Sequence, residues 1–397
     1  MLLLDIDFRG VRASEGRHSI HDYPAMLHHK LVDYLLETYG KDKKALYDPF
    51  CGSGVSLVQA LKKGLTAYGT DINPLALLIA QTRAYTPKKP IPTKDLIESI
   101  QKAKPDVPEV RNISYWFKES VIEELGKIRS AVKKYAEEDF FPLLLTAFSQ
   151  TVRLSSNNRR GEFKRFRLSE EELRRFYPKP IRIFLELVVS YQATLKEDPI
   201  ETSPNLLLHN VRFPIPFKGY DMVITSPPYG DSRTTVAYGQ FSSFSLEWLS
   251  GMNPFGSIFG NLDRMSLGGE KRSASESVYS ESFQKIYKFL MSINKRRAQE
   301  VHSFFSDLQK CCKNIVHGLE EGGIVCFVVG NRRVAGVEIP TSDIVKELFE
   351  SLGLFHVETL HRNIHNKRMP LMNSPSNVTG QKEYTMRSEH IVVMRKP

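Results

Sequence analysis

Apolar and polar positions along the chain fall into two kinds of period, and the switch between them divides it. Over residues 45 to 85 the pattern is strand, turn, helix, strand. "ALYDPF" is a short buried strand, "CGSG" a turn, Val55 to Lys63 a helix and "TAYGTDI" a second strand. A proline-rich stretch, "YTPKKPIPTK", follows as a linker. From about 95 to 197 the spacing is helical throughout, as in "DLIESIQKA", "SVIEELGKIRSAVKKYAEE" and "IRIFLELVVSYQATLK". Strands resume at "NLLLHN", "DMVIT", "GGIVCFVVGN", "LFHVETLH" and "EHIVVMRK". Strands alternating with helices predict an α/β fold with a mostly parallel sheet wrapped by helices. The expected division is 1–90 with 200–397 as one α/β domain and 91–199 as a helical insertion. The Ser/Gly/Asn-rich segment from Tyr229 to about 300 carries no clear period.

Composition narrows the class. A chain of 397 residues with 41% hydrophobic and 25% charged content is ordinary for a globular protein. The net charge of +10 favours a polyanionic partner. Cys51, Cys311, Cys312 and Cys326 form no C-x-x-C pair and have no histidine at ligand spacing, so neither a zinc site nor a disulfide framework is expected. "MLLL" is broken by Asp5 and Asp7, too early for a signal peptide, and "FFPLLLTAF" is shorter than a bilayer span. A soluble, cytoplasmic protein without membrane contact is the expectation.

"DPFCGSG" directly follows the first strand and opens a helix. Gly52 and Gly54 let the backbone turn tightly and leave room for a ligand against the helix N-terminus. Asp71 ends the next strand, where a carboxylate can accept both ribose hydroxyls of an adenosine-type cofactor. The plainer reading is that the glycines only make a turn and Asp71 caps the helix starting near Pro74. The absence of G-K-[ST] excludes a P-loop, and the third glycine of a dinucleotide site is missing. Further on, "DMVITSPPYGDS" ends a buried strand in two prolines, which make a rigid exit with no amide donors. Such a segment can be a mere strand terminator. It also offers a serine hydroxyl, bare carbonyls and an aromatic ring in fixed directions.

Together the two motifs resemble those of S-adenosylmethionine-dependent amino-methyltransferases of nucleic-acid bases. The first has the form F-x-G-x-G, here Phe50-Cys51-Gly52-Ser53-Gly54; the second has the form [DNS]-P-P-[YFW], here Ser226-Pro227-Pro228-Tyr229. The resemblance extends to "HSIHDYPAMLHHKLVDYLLETY", "YGTDINPLALLIAQ" and the C-terminal "HNKRMPLMNSPSN". It implies a class I methyltransferase, Rossmann-like fold with a mostly parallel seven-stranded sheet. It also implies S-adenosyl-L-methionine as cofactor, held by His21, Tyr23, Pro24, Asp48, Phe50, Gly52, Gly54, Asp71, Ile72 and Asn210. His209-Asn210 departs from the Gly-Asp often found there. The serine form of the second motif is most often seen in enzymes that modify the N4 amino group of cytosine in DNA, the modification methylases of restriction systems. Alternatives are adenine N6 in DNA, a ribosomal or transfer RNA base, or a non-catalytic nucleic-acid-binding protein. Carbon-5 methylation is set aside, because none of the cysteines follows a proline as that family's nucleophile does.

The residue types suit amino-group chemistry. The lone pair of an exocyclic amine is delocalised into the base, so acceptors aimed at its hydrogens can free it for attack. Ser226 Oγ and the Pro227 carbonyl are such acceptors, Pro228 fixes their direction, and Tyr229 offers a face for an extruded base. For the polymer, "RLSSNNRRGEFKRFRLSEEELRRFYPKPIR" supplies Arg153, Asn158, Arg159, Arg160, Lys164, Arg165 and Arg167 interleaved with Phe163 and Phe166. The bland reading of that run is a solvated basic helix face. Arg233 and Tyr238 follow the SPPY motif, and Lys367 with Arg368 lie in a loop between the last two strands. His28 and His29 on an amphipathic helix are expected to be structural. The partners implied are DNA, with RNA possible, and a cognate restriction endonuclease in the same system.

Overall fold

The computed structural model describes residues 6–161, 163–230, 236–256, 261–271, 276–364 and 388–397, with the backbone of 372–373 and 383–384. Among these, seven strands form one sheet: β1 (Ala45–Asp48), β2 (Thr66–Asp71), β3 (Asn205–Leu208), β4 (Tyr220–Thr225), β5 (Leu319–Val329), β6 (Phe355–Asn363) and β7 (Ser388–Arg395). Their spatial order is β3-β2-β1-β4-β5-β7-β6. β7 runs antiparallel to both its neighbours, and every other pairing between adjacent strands is parallel. The central strands β1 and β4 are buried along almost their whole length, as apolar runs covered on both faces should be.

The sheet is wrapped by α1 (His29–Tyr39), α2 (Val55–Lys62) and α3 (Pro74–Ala84) early in the chain. Later in the chain come α10 (Tyr238–Trp248), α11 (Leu262–Met265), α12 (Glu281–Ile293), α13 (Lys295–Gly318) and α14 (Thr341–Glu350). Alternation along β4 explains the layering. Met222 and Ile224 point to the side of Leu31, Leu35 and Leu57, whereas Val223 points to the side of Phe304, Phe305 and Leu308. Each large side chain buried this way contributes about 1.5–3 kcal/mol. All four cysteines are buried and unpaired within these layers.

Between α3 and β3 lie α4 (Thr93–Lys102), α5 (Ile113–Trp116), α6 (Glu119–Val132), α7 (Phe141–Ser155), α8 (Glu170–Arg175) and α9 (Pro180–Glu197). Leu125 and Ile128 of α6, Leu144 and Phe148 of α7 and Phe184 of α9 share one core with Leu75 and Ile79 of α3 and with Phe241, Phe244 and Trp248 of α10. The helical block therefore buries its apolar stripes jointly with helices of the α/β half. No helix among the described residues is long and apolar enough to cross a membrane.

Strand order reverses between β1 and β4, since β2 and β3 lie on one side and β5 on the other. That reversal opens a crevice at the carboxyl ends of the two strands, where ligands bind in open α/β sheets. Leu46 pairs with Met222 and Tyr47 with Val223, so β1 and β4 end level with one another. The "FCGSG" turn and the "SPPY" segment leave the sheet side by side.

Candidate active site

Asp48, the last residue of β1, ties three elements together. Its Oδ1 accepts from the Thr225 hydroxyl at 2.6 Å and the Phe50 amide at 3.1 Å, and Ser56 of α2 donates to Oδ2. Burial pushes the Asp48 carboxyl up to about 6, against the pull of these donors. Protein groups use both its oxygens, so its contribution is to lock the ends of β1 and β4 to α2.

The two glycines of the turn serve different ends. Gly54 has φ +82°, and a Cβ there would lie 2.8 Å from the Ala80 Cβ, so its bareness lets α2 start against α3. Gly52 has φ +48°, and an added Cβ would meet only the Tyr23 ring at 3.5 Å. Its open side faces the cleft. No side chain caps the start of α2. Asp71 sits across from it: Oδ2 accepts from the Gly52 amide at 3.0 Å and Oδ1 from the Asn73 amide at 2.8 Å. Burial raises the Asp71 carboxyl to about 6, and no cationic side chain is among the groups acting on it. A half-buried carboxylate with only backbone donors retains lone pairs for a ligand.

The N-terminal segment forms the facing wall. Tyr23, Pro24, Ala25, Met26 and Leu27 line the cleft with Asp48, Phe50, Gly52, Asp71, Ile72 and Asn210. A buried arginine holds the segment in place. Arg83 donates to the Ile20 carbonyl at 2.9 Å, the His21 carbonyl at 2.8 Å and the Ser53 hydroxyl at 2.7 Å, joining wall and glycine turn. Arg17 secures the same segment through the Asp198 and Arg83 carbonyls at 2.8 and 2.7 Å. His21 is not among the residues lining the cleft. It is buried with φ +61°, and its ring nitrogens reach Ser149 Oγ at 2.8 Å and the Asp22 carbonyl at 2.6 Å. Burial lowers its pKa to about 3, which keeps it neutral. His28 caps α1, accepting from the Lys30 amide at 3.2 Å, as a structural histidine would.

Sequence reading missed several residues of the site. Asn73 caps α3 and donates to the Tyr23 hydroxyl at 3.3 Å and to Ser242 at 2.8 Å, fixing the wall to α10. Its signal was present in "DINP", a cap residue before a proline at the first helical position. Leu262, Met265 and Leu267 form the remaining side of the cleft, from the stretch without a clear period. Tyr238, singled out in the sequence after the SPPY motif, lines the cleft as well, stacked on Tyr23 at 6.0 Å. Asn210 lies at the cleft, but its side-chain Oδ1 already accepts from the Arg212 amide and from Arg212 Nε, each at 3.2 Å.

Ser226 and Pro228 open into this same cleft, whereas Pro227 and Tyr229 lie beside it. The Ser226 hydroxyl is 3.1 Å from the Tyr229 hydroxyl, which in turn bonds Glu389 Oε1 of β7 at 2.9 Å. Arg362 of β6 stands 3.5 Å from the other oxygen of Glu389.

The basic segment is not a helix face. Residues 157–161 and 163–168 fold back on one another as a small hairpin, with the Arg159 amide on the Phe166 carbonyl at 2.7 Å and the Leu168 amide on the Asn157 carbonyl at 2.8 Å. Asn158 stabilises it by accepting from the Phe166 amide at 2.7 Å. Arg159, Arg160 and Lys164 are exposed on this hairpin, beside the exposed rings of Phe163 and Phe166. The hairpin abuts the cleft wall: the Arg165 amide bonds Gln240 of α10 at 3.3 Å, and its guanidinium covers Phe244 at 4.2 Å. Arg153 and Arg167 are occupied within the protein. Arg153 lies over the Phe241 ring at 3.5 Å and bonds its carbonyl, and Arg167 pairs with Glu170 at 2.6 Å and covers Tyr115. Arg233, Lys367 and Arg368 lie outside the described residues.

No family model matches the chain. Among solved structures, it is similar over 95% of its length to the rRNA methyltransferase AviRa of Streptomyces viridochromogenes, covering 88% of that chain at 13% identity and a TM-score of 0.33. Over 94% of its length it is similar to TrmN of Thermus thermophilus, covering 50% of that chain at 10% identity and a TM-score of 0.31. A shorter match, 38% identical over 66 residues, covers 17% of the chain and 12% of the Type II methyltransferase M.MjaII of Methanocaldococcus jannaschii. The Type II methyltransferase M.MvaI of Kocuria varians is 35% identical over 425 aligned positions, which cover 98% of this chain and 93% of that protein. The sheet has the mostly parallel seven-stranded arrangement of class I methyltransferases. With that sheet, and a relative matched over nearly its whole length, the chain belongs to the Type II methyltransferases.

Proposed function

We propose that the protein transfers a methyl group from S-adenosylmethionine to the N4 amino group of cytosine within a specific DNA sequence. The observation that carries this reading is that Ser226 of the SPPY segment opens into the same cleft as Gly52 and Asp71. The cleft suits the cofactor by its own chemistry. Asp71 holds unclaimed lone pairs for a ribose, Gly52 leaves the turn bare, and Tyr23, Phe50 and Ile72 supply apolar surface. When bound, the cofactor supplies a methyl group on a positively charged sulfur, which keeps the bonding pair when the amino nitrogen takes the methyl.

The chain's own part is alignment. Ser226 Oγ and the Pro227 carbonyl accept hydrogen bonds from the two amino hydrogens, which turns the nitrogen lone pair towards the methyl group. The methylated aminium, itself acidic, then releases one proton to solvent. Tyr229 gives the extruded base a stacking face. The serine at position 226 favours cytosine N4 over adenine N6 on the motif alone. Exposed Arg159, Arg160 and Lys164 hold phosphates or base edges near the cleft mouth, and Arg233, Lys367 and Arg368 are assigned to the same task from sequence. A Type II system would pair this activity with an endonuclease reading the same site.

Single-turnover transfer of labelled methyl groups to duplex DNA tests the reading. Ser226→Ala should bind DNA and cofactor almost normally yet transfer about tenfold or more slowly, one hydrogen bond being lost where alignment matters. Tyr229→Ala should in addition lose stacking of about 1–3 kcal/mol, felt as weaker capture of the base. A Ser226→Ala enzyme with the wild-type transfer rate would reduce the serine to a strand terminator.

A further inference from the structure

Ser226 can serve amino transfer only if its oxygen accepts. A serine hydroxyl carries one proton and two lone pairs, and a free rotor can point the proton at an incoming amine as readily as a lone pair. Something must commit that proton elsewhere. The neighbours of Ser226 do so through a chain of bonds whose direction is forced from its far end.

Glu389 is a carboxylate held 3.5 Å from the Arg362 guanidinium, and a carboxylate only accepts. The Tyr229 hydroxyl, 2.9 Å from Glu389 Oε1, must therefore spend its only proton there. Tyr229 Oη then has nothing but lone pairs to offer Ser226, 3.1 Å away, so Ser226 donates to it. The Ser226 lone pairs are left facing the cleft. We infer that Glu389, paired with Arg362, is a positioning residue that polarises Ser226 through Tyr229 and so fixes Ser226 as a hydrogen-bond acceptor for the substrate amino group. This rests on the amino-transfer reading above and adds two residues, on β6 and β7, which neither motif contains. The same tether fixes the position of the Tyr229 hydroxyl.

The arrangement makes a prediction that a purely structural carboxylate would not. Glu389→Ala frees the Tyr229 proton to point at Ser226, so single-turnover methyl transfer to DNA should fall about tenfold, with DNA and cofactor Kd changed less than about twofold. Tyr229→Phe keeps the ring and removes the relay, and should lose a similar factor. The double variant should be hardly worse than either single one, because both break one chain. Glu389→Gln leaves one oxygen between two donors, Arg362 and the Tyr229 hydroxyl, so it should lose part of the rate as well. The decisive comparison adds Ser226→Asp. A carboxylate at that position accepts whatever its neighbours do, so in its presence the cost of Glu389→Ala should shrink to about threefold or less. Equal cost in both backgrounds, additive losses from Glu389→Ala and Tyr229→Phe, or an undiminished rate in Glu389→Ala would overturn the inference. Should Glu389→Ala fail to fold, Tyr229→Phe with and without Ser226→Asp carries the same comparison. A wild-type enzyme that transfers no methyl to an exocyclic amine of DNA would overturn the amino-transfer reading itself, and is seen before any variant is made.

Discussion

Asp71 sits in the cleft with its carboxyl raised to about 6 and only backbone donors upon it. Two charge-assisted bonds to a ribose would be worth about 3 kcal/mol together, so Asp71→Ala should weaken S-adenosylmethionine binding roughly a hundredfold in calorimetric titration, with DNA binding little changed. The same carboxylate gives a pH signature. Binding needs the ionised form, so Kd should rise as pH falls below about 6, and Asp71→Asn should lose that component. Acid unfolding through these groups is not the cause. Asp48 and Asp71 both have folded-state values above the unfolded ones, so their protonation favours the folded state, and their contribution to stability falls only as pH rises through about 6. The glycines should separate in the same way. Gly54→Ala drives a methyl group into Ala80 and should cost about 2–4 kcal/mol in chemical denaturation, from overpacking and a left-handed φ together. Gly52→Ala meets only a ring at contact distance and should cost about 1–2 kcal/mol, with its larger effect on cofactor affinity.

At the scale of elements, the hairpin of residues 157–161 and 163–168 separates arginines that a linear reading treats alike. Arg159 and Arg160 are exposed on it, so replacing both with Ala should weaken DNA binding and lower the log–log salt slope by about one to two, without a change in Tm. Arg153 should behave in the opposite manner. It is largely buried against Phe241, and Arg153→Ala should cost about 1–3 kcal/mol of stability. An equal loss of DNA affinity from both replacements, at unchanged stability, would contradict this division. The composition of the segment was plain in the sequence, but its closure was not. The hairpin is fastened by Asn158 and by contacts to Gln240 and Phe244 of α10, and those partners are remote in sequence and leave no local period.

For the whole molecule, the sheet was legible because its central strands are short apolar runs followed by glycine or proline, too short for helices and bounded by turn residues. The two motifs were legible for the same reason, and the register of β1 against β4 brings them together. The supports of the site were not. Arg83 binds three sequence-distant carbonyl and hydroxyl oxygens, Glu389 reaches Tyr229 from the last strand, and Leu262 and Met265 come from a segment without periodicity. Nor could amphipathic stripes at 95–197 reveal that they pack jointly with α3 and α10, since a stripe does not name its partner. All of these features converge on one cleft at the switch point of the sheet. The most direct test is nucleoside mass spectrometry of DNA and RNA incubated separately with the protein and S-adenosylmethionine carrying an isotopically labelled methyl group. Label in N4-methylcytosine from DNA, and none in RNA, is the predicted result; label in 5-methylcytosine, or in RNA alone, would contradict it.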